Sequence, residues 1–332
     1  AYKSEDGSIY YGVSRFKDYG KLSRVQVDNL KSGARVKQDE YEKDSANDFA
    51  LWKAYDPKDG DVFWDTELGK GRPGWHIECS AMSMKLLGEH FDIHTGGIDL
   101  TFPHHENEIA QSEGATGKKF VNYWLHCEHL LVDNEKMSKS KGNFYVLKDI
   151  LDKDYDAYAV RYLLLGTHYR QKLNFTFQSL EAAEESVKKF REFLIRLKSV
   201  DGKKDNPDVI EIVKSSRLAF EEAMDDDLNI SAGLAAIYSF MTEISKLIAS
   251  DNLSKNDALK AFDLMMEFDK VLSVTNYLDE EIPEDVLELV SAREGARKHK
   301  DWKMSDHLRE EIKKRGYAVD DSGSKTIVKK LG

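Results

Sequence analysis

Cysteine is almost absent from this chain: two residues in 332, Cys79 and Cys127. Two thiols exclude a disulfide scaffold and fit a reducing compartment, although either could still be a metal ligand. Long apolar runs are missing too, and no stretch approaches the length of a membrane span. The first residues, Ala1-Tyr2-Lys3-Ser4-Glu5-Asp6, lack the apolar centre of a signal peptide. The expectation is a cytoplasmic protein with no membrane partner. Internal repeats and low-complexity tracts are absent as well. Positive charge is in deficit, with a formal net charge of -11, which argues weakly against nucleic acid as a partner. The deficit is uneven, however. Residues 293–332 carry 12 Lys+Arg against 7 Asp+Glu, a balance of +5, and a basic module on an acidic protein can meet phosphates locally.

What remains is a globular balance, 41% apolar and 33% charged, over a length that suits two or three domains. Residues 1–68 are polar, with strand-like pieces at Ser8-Ile9-Tyr10-Tyr11 and Ala34-Arg35-Val36. Residues 69–146 change character. Phe91-Asp92-Ile93-His94 reads as a strand ending in a Gly turn, His104 to Glu113 as a helix, and Tyr123-Trp124-Leu125 and Leu130-Leu131-Val132 as further strands. That is the grammar of a parallel α/β sheet. From about Leu147 apolar residues recur at spacings of three and four, so the second half is all-α. An amphipathic helix is predicted over 178–198. Another is predicted to open at Pro283 and run through the basic stretch to Arg315-Gly316.

Three constellations carry chemistry. His104 and Glu108, four apart, share one helix face, and Cys79 comes from another segment. Thiolate, imidazole and carboxylate are all zinc ligands. Taken singly, Cys79 reads more readily as a small buried hydrophobe and the His/Glu pair as a helix-surface pair. Lys136-Met137-Ser138-Lys139-Ser140, followed by Lys141-Gly142-Asn143, is a basic loop ahead of a helix. Such a loop can close on a triphosphate and neutralise leaving pyrophosphate, or can be an ordinary solvated loop. In His94-Thr95-Gly96-Gly97-Ile98-Asp99 a Gly pair could admit a nucleotide and the acid could bind ribose, or Asp99 could cap a helix.

The order and spacing of these stretches resemble the cysteinyl-tRNA synthetases, a class I aminoacyl-tRNA synthetase family. The matching segments are GRPGWHIECSAMS (71–83), FDIHTGGIDLTFPHHENEIAQSE (91–113) and EKMSKSKGNF (135–144). Asp225-Asp226-Asp227-Leu228-Asn229 resembles the family's tRNA-side helical bundle, and the tail from Ala296 to Arg309 its anticodon-side region. Asp18 to Ser23 and Phe49 to Lys53 resemble its connective insertion. The resemblance implies an α/β part followed by an all-α part: a connective insertion (1–68), the second half of a Rossmann catalytic domain (69–146), a helical linker (147–204), a bundle (205–290) and a basic C-terminal region (291–332).

It also implies roles. Cys79, His104 and Glu108 would be ligands of one Zn2+ per chain. Trp75 and His94 would line the cysteine pocket, with His94 acting also in catalysis. Gly96, Gly97 and Asp99 would face the adenosine. Lys136 and Lys139 would be catalytic, with Lys139 nearest the ATP phosphates. Arg293, Arg297, Lys300, Trp302 and Arg309 would meet tRNA. The implied partners are L-cysteine, ATP with Mg2+ and tRNA(Cys), on a monomer. The family's His-Ile-Gly-His signature and a further zinc-ligand cysteine have no counterpart here. About a hundred residues, half of a nucleotide-binding fold, are therefore expected to be missing before Ala1, leaving the isolated chain inactive. Two alternatives share these motifs: a ligase that joins activated cysteine to an amino sugar, and a non-catalytic tRNA-binding fragment. The acidic 225–229 segment and the basic tail favour the tRNA reading, and the intact Lys136–Ser140 loop favours catalysis.

Overall fold

The structure, a computed structural model, describes residues 1–25, 48–275, 283–322 and 325–330. The strand expected at Ala34–Val36 lies outside the described residues. Two compact units emerge: residues 1–129 with 169–172, and residues 130–168 with 173–332.

The first unit opens with an antiparallel sheet. β1 (Tyr2–Lys3), β2 (Ile9–Tyr11), β3 (Phe49–Ala54), β4 (Trp64–Thr66) and β5 (Gly69–Pro73) are ordered β1-β2-β3-β5-β4. Tyr10 is fully buried between the half-buried Ile9 and Tyr11, the alternation of a strand with one covered face. Gly74 follows β5 at a contact only glycine permits, since a Cβ there would lie 1.9 Å from the Ala50 carbonyl oxygen. The chain then enters α1 (Trp75–Leu87), which stops at Gly88 with φ +93°. β6 (Phe91–Gly97), α2 (Glu106–Thr116) and β7 (Val121–Cys127) form a βαβ unit whose strands pair in parallel, as the sequence predicts. Two details differ from expectation. The Gly pair belongs to the strand, Gly96 opposite His126 and Gly97 opposite Cys127, and the turn follows at Ile98–Leu100. The helix starts at Glu106, and His104 and His105 sit in an irregular turn, Thr101–His105, ahead of it. Val13, Phe49 and Ala110 make a small core that fastens the antiparallel sheet to α2.

In the second unit β8 (Leu131–Val132) and β9 (Glu135–Lys136) turn through Asp133 and Asn134, both with positive φ. Short helices α3 (Leu147–Leu151) and α4 (Ala157–Leu165) follow, and β10 (Asn174–Phe175) returns parallel to β8. The predicted amphipathic helix is α5 (Phe177–Lys198). Thr176 caps it by accepting from the Ser179 amide, and Leu180, Ala183, Val187, Phe190, Leu194 and Leu197 bury one stripe at spacings of three and four. α6 (Asp208–Asp225), α7 (Ile230–Ala249) and α8 (Lys255–Leu272) complete a bundle around one apolar core that includes Phe193, Ile237, Phe240, Leu264 and Phe268. Contrary to the sequence reading, α7 is long and apolar enough to cross a membrane by length and composition. Ile230, Gly233, Ile237, Phe240 and Ile244 are instead buried in the bundle.

The single helix expected from Pro283 to Arg315 is two. α9 (Glu284–Lys298) ends at His299, Lys300 takes φ +58°, and Asp301 caps α10 (Trp302–Lys314) by accepting from the Met304 amide. The antiparallel hairpin β11 (Tyr317–Ser322) and β12 (Lys325–Lys330) closes the chain over a core of Val286, Val290, Ile312, Tyr317 and Val319.

Candidate metal centre and phosphate loop

The three donors separated in sequence converge. Cys79 comes from α1, His104 from the turn before α2, and Glu108 from the first turn of α2. Their ligand atoms lie within 4.8 Å of one another. His104 Nε2 stands 2.9 Å from Glu108 Oε1, and His104 Nδ1 is 2.8 Å from His76 Nδ1, which fixes the plane of the imidazole. His94, His105 and Glu108 form a second group of the same kind. The Glu108 carboxylate is common to both, with Oε2 3.7 Å from His94 Nε2.

Glu108 tests whether a cation fits. Its side chain is wholly buried, yet neither oxygen accepts a hydrogen bond among the described residues. Among the described residues only the His104 and His94 imidazoles pair with it, and a buried carboxylate so placed gains from a bound cation. Burial, with Glu108 and Glu78 nearby, pushes the Cys79 thiol above its ordinary range. That shift reverses when a dication occupies the position between the donors. One thiolate, one imidazole and one carboxylate suit zinc.

Sequence reasoning named His94 but missed His76, His105 and His126 around this set. Parallel register puts His94 opposite Trp124 and Gly96 opposite His126, so all four positions face the same side. His105 Nδ1 is 2.8 Å from His126 Nε2, and the His105 ring centroid is 4.8 Å from that of Trp124. Burial and the neighbouring imidazoles depress His105 to about 3. His94 is lowered by burial despite Glu108, and His126 by burial, His94 and Arg170. The cluster is therefore neutral at pH 7, and neutral imidazoles can bind a metal or polarise a substrate. Gly96 is explained locally: a Cβ would come within 2.6 Å of His105 Cε1. Asp99 lies exposed on the 3-10 turn after β6, and Trp75 stands exposed at the start of α1, its ring centroid 6.2 Å from that of His104. The donors need no large cavity. A cavity of about 580 Å³ lies against another part of α2, lined by Phe16, Lys21, Ile109, Glu113 and Trp124, and includes none of the three.

The basic loop of the second unit is held from within. Asn143 accepts from the Ser138 amide (2.8 Å) and donates to the Lys136 carbonyl (3.3 Å), bracketing a short 3-10 turn, Lys139–Lys141. The Ser138 and Ser140 hydroxyls are 2.8 Å apart. Lys141 pairs with Glu135 at 2.9 Å, whereas Lys136 and Lys139 have no ion-pair partner among the described residues. Lys139 Nζ hovers 5.2 Å from the Phe144 ring. Met137 turns inward against the bundle core. The frame is rigid at its base and presents two ammonium groups to solvent.

The tail residues divide. Arg293, expected to meet tRNA, is 1% exposed and gives both terminal nitrogens to Asp321, at 2.9 and 2.8 Å. A guanidinium so enclosed joins α9 to β11 and cannot reach a phosphate. Arg297 also pairs with Asp321 (2.9 Å) but stays partly exposed, its guanidinium 5.8 Å from the Trp302 ring. Lys300, Trp302 and Arg309 lie on the surface, with Arg309 donating to the Val319 carbonyl.

Comparison with known proteins agrees with this architecture. Residues 1–185 match the model of the class I (C) tRNA synthetase catalytic domain, residues 219–276 the DALR domain, and residues 279–328 the cysteinyl-tRNA ligase anticodon binding domain. The cysteine–tRNA ligase of Protochlamydia amoebophila is 49% identical over 99% of this chain and 70% of its own length. That of Chlamydia muridarum is 48% identical over the whole chain and 72% of its own length. The solved structure of a putative arginyl-tRNA synthetase from Campylobacter jejuni covers 72% of this chain and 58% of its own, at 16% identity and a TM-score of 0.46. With a catalytic-domain model over more than half its length and relatives nearly half identical from end to end, the chain belongs to the cysteine–tRNA ligase family, class I aminoacyl-tRNA synthetases.

Proposed function

We propose that the chain serves cysteine activation and transfer to tRNA(Cys), with a zinc ion held by Cys79, His104 and Glu108 selecting the substrate thiol. The buried Glu108 carboxylate, with two oxygens that accept no hydrogen bond, carries this reading. Zinc bound there supplies a Lewis acid that prefers thiolate to hydroxyl. Discriminating cysteine from serine by 10⁴ needs about 5–6 kcal/mol, more than an apolar pocket provides for near-isosteres.

The remaining work falls to side chains. Trp75 and neutral His94 border the cysteine position. Gly96, Gly97 and Asp99 face the adenosine. The cysteine carboxylate attacks the α-phosphorus of Mg2+-bound ATP, and the bond to pyrophosphate breaks. Lys136 and Lys139 neutralise the charge gathering on that leaving group, an interaction strongest in the transition state. The 3′-terminal hydroxyl of the tRNA then attacks the cysteinyl carbonyl and AMP departs. Arg297, Lys300, Trp302 and Arg309 offer the exposed surface for the tRNA on the anticodon side.

The test compares the metal content of this chain, and ATP–pyrophosphate exchange by the intact enzyme, between wild type and Cys79→Ser. One zinc per wild-type chain is expected, with loss of tight zinc and of exchange in the variant. A Cys79→Ser protein with full zinc and normal exchange overturns the reading.

A further inference from the structure

Cys79 and Glu108 belong to different helices, so the distance between them is set by whatever fixes α1 against α2. Three polar side chains do so in a dry interface. Gln111 lies three residues beyond Glu108, on the same face of α2. Its amide nitrogen donates to the His76 carbonyl and to the Ser80 hydroxyl, both at 2.6 Å. Those two acceptors bracket Cys79 on α1, three residues before it and one after. Ser112 donates to the same Ser80 hydroxyl at 2.9 Å. Ser80, Gln111 and Ser112 are all buried.

The balance of this interaction is uneven. Gln111 Oε1 is buried and has no hydrogen-bond partner among the described residues, which costs about as much as one good hydrogen bond returns. The side chain therefore adds little net stability, and what it does add is register. One nitrogen with both hydrogens committed allows one setting of the Cys79 turn against the Glu108 turn. An apolar side chain of the same volume would let the two helices slide by fractions of an ångström.

We infer that Gln111 is a positioning residue for the metal centre, holding Cys79 at bonding distance from an ion shared with His104 and Glu108. The inference rests on the metal reading above. Its weight lies in the directness of the coupling, because Gln111 bonds the backbone and side chain on either side of Cys79.

Co2+ is the probe, since a thiolate bound to it adds a charge-transfer absorption that imidazole and carboxylate do not. The chain is titrated with Co2+ as wild type, Gln111→Met, Ser80→Ala, Cys79→Ser and Cys79→Ser/Gln111→Met. Wild type is expected to show the charge-transfer band. Gln111→Met is expected to bind Co2+ about ten- to a hundredfold more weakly. Its charge-transfer band should fall by more than its ligand-field bands, with the melting temperature of the metal-free protein unchanged. Ser80→Ala keeps the helix and removes one acceptor, so it moves affinity and spectrum the same way by less. In the Cys79→Ser background Gln111→Met should change Co2+ affinity no further, because the residue it positions is gone. Wild-type affinity and spectrum in both Gln111→Met and Ser80→Ala overturn the inference and leave the metal reading standing. Equal weakening with and without Cys79 also overturns it, as a general loosening of the fold. A wild-type chain with no charge-transfer band overturns both readings together.

Discussion

The helix pair α1–α2 and the bundle α5–α8 are built from similar helices and filled in opposite ways. Between the bundle helices lie Leu180, Leu194, Ile237, Phe240, Leu264 and Phe268, a continuous apolar core. Around α2 the buried residues are His104, His105, Glu106, Asn107, Glu108, Gln111 and Ser112, with Ala110 the one apolar residue among them. Some of these polar groups are structural. Glu106 accepts from the Leu22 and Ser23 amides and the Ser23 hydroxyl, and Asn107 bonds Tyr19, so both fasten the turns at residues 17–24 to α2. Glu108 accepts no such hydrogen bond among the described residues and meets only the imidazoles of His104 and His94. A bundle gains stability from what it buries, whereas α2 buries groups that cost stability unless something binds them. That difference marks the functional part of the chain without reference to any relative.

The comparison breaks most visibly in the bundle. Phe240→Ala should cost about 3–5 kcal/mol of unfolding free energy by denaturant titration, through a cavity in the core, and leave metal affinity unchanged. Glu108→Gln should do the reverse. Metal affinity should fall on the order of a hundredfold or more, taking one ligand's share of the roughly 10–16 kcal/mol that a full zinc site contributes. Stability in the presence of a chelator should stay level or rise, since an uncompensated buried charge is removed. A Glu108→Gln protein markedly less stable without metal would show that the carboxylate is structural, and the contrast between the two regions would fail.

A third substitution sharpens it from the surface. Lys139 is exposed and acts in no packing beyond its approach to Phe144. In the intact enzyme, Lys139→Ala should slow ATP–pyrophosphate exchange by about a hundredfold, near the lower end for removing one transition-state charge contact. Cysteine affinity, measured by equilibrium dialysis, should move less than twofold. Weakened cysteine binding at an unaltered exchange rate would assign the loop to the wrong substrate.

These contrasts were only partly legible in the sequence. Helices with a full apolar stripe, such as α5, declare themselves through period, and the Cys79, His104 and Glu108 donors through residue type and motif. The partners His76, His105 and His126 did not, because what gathers them is the parallel register of β6 on β7 and the crossing of α1 on α2. Gly96 suggests room for a nucleotide by its type, and the structure adds a local reason for glycine there that the sequence does not show, the approach of the His105 ring. Arg293 was read by its charge, and its partner Asp321 lies 28 residues away on a hairpin. The break before α10 did carry a local signal, since Asp301 stands where a cap for the Met304 amide belongs.

Arg293 supplies the smallest and most local of the expected effects. Its guanidinium holds the Asp321 carboxyl below the ordinary carboxylate range, burial working against it and Arg297 adding to it. A carboxylate with a depressed folded pKa contributes stability that is present above its unfolded value, about 3.9, and is lost as pH falls through the folded value. The C-terminal module should therefore hold at neutral pH and loosen below about pH 4. Asp321→Asn should remove about 1.5–3 kcal/mol at pH 7, the range for hydrogen bonds to a charged group, and erase the acid dependence of this module. Amide hydrogen exchange in α9, α10 and β11 reads both quantities. Protection that falls with acid equally in wild type and Asp321→Asn would show that another group carries the transition.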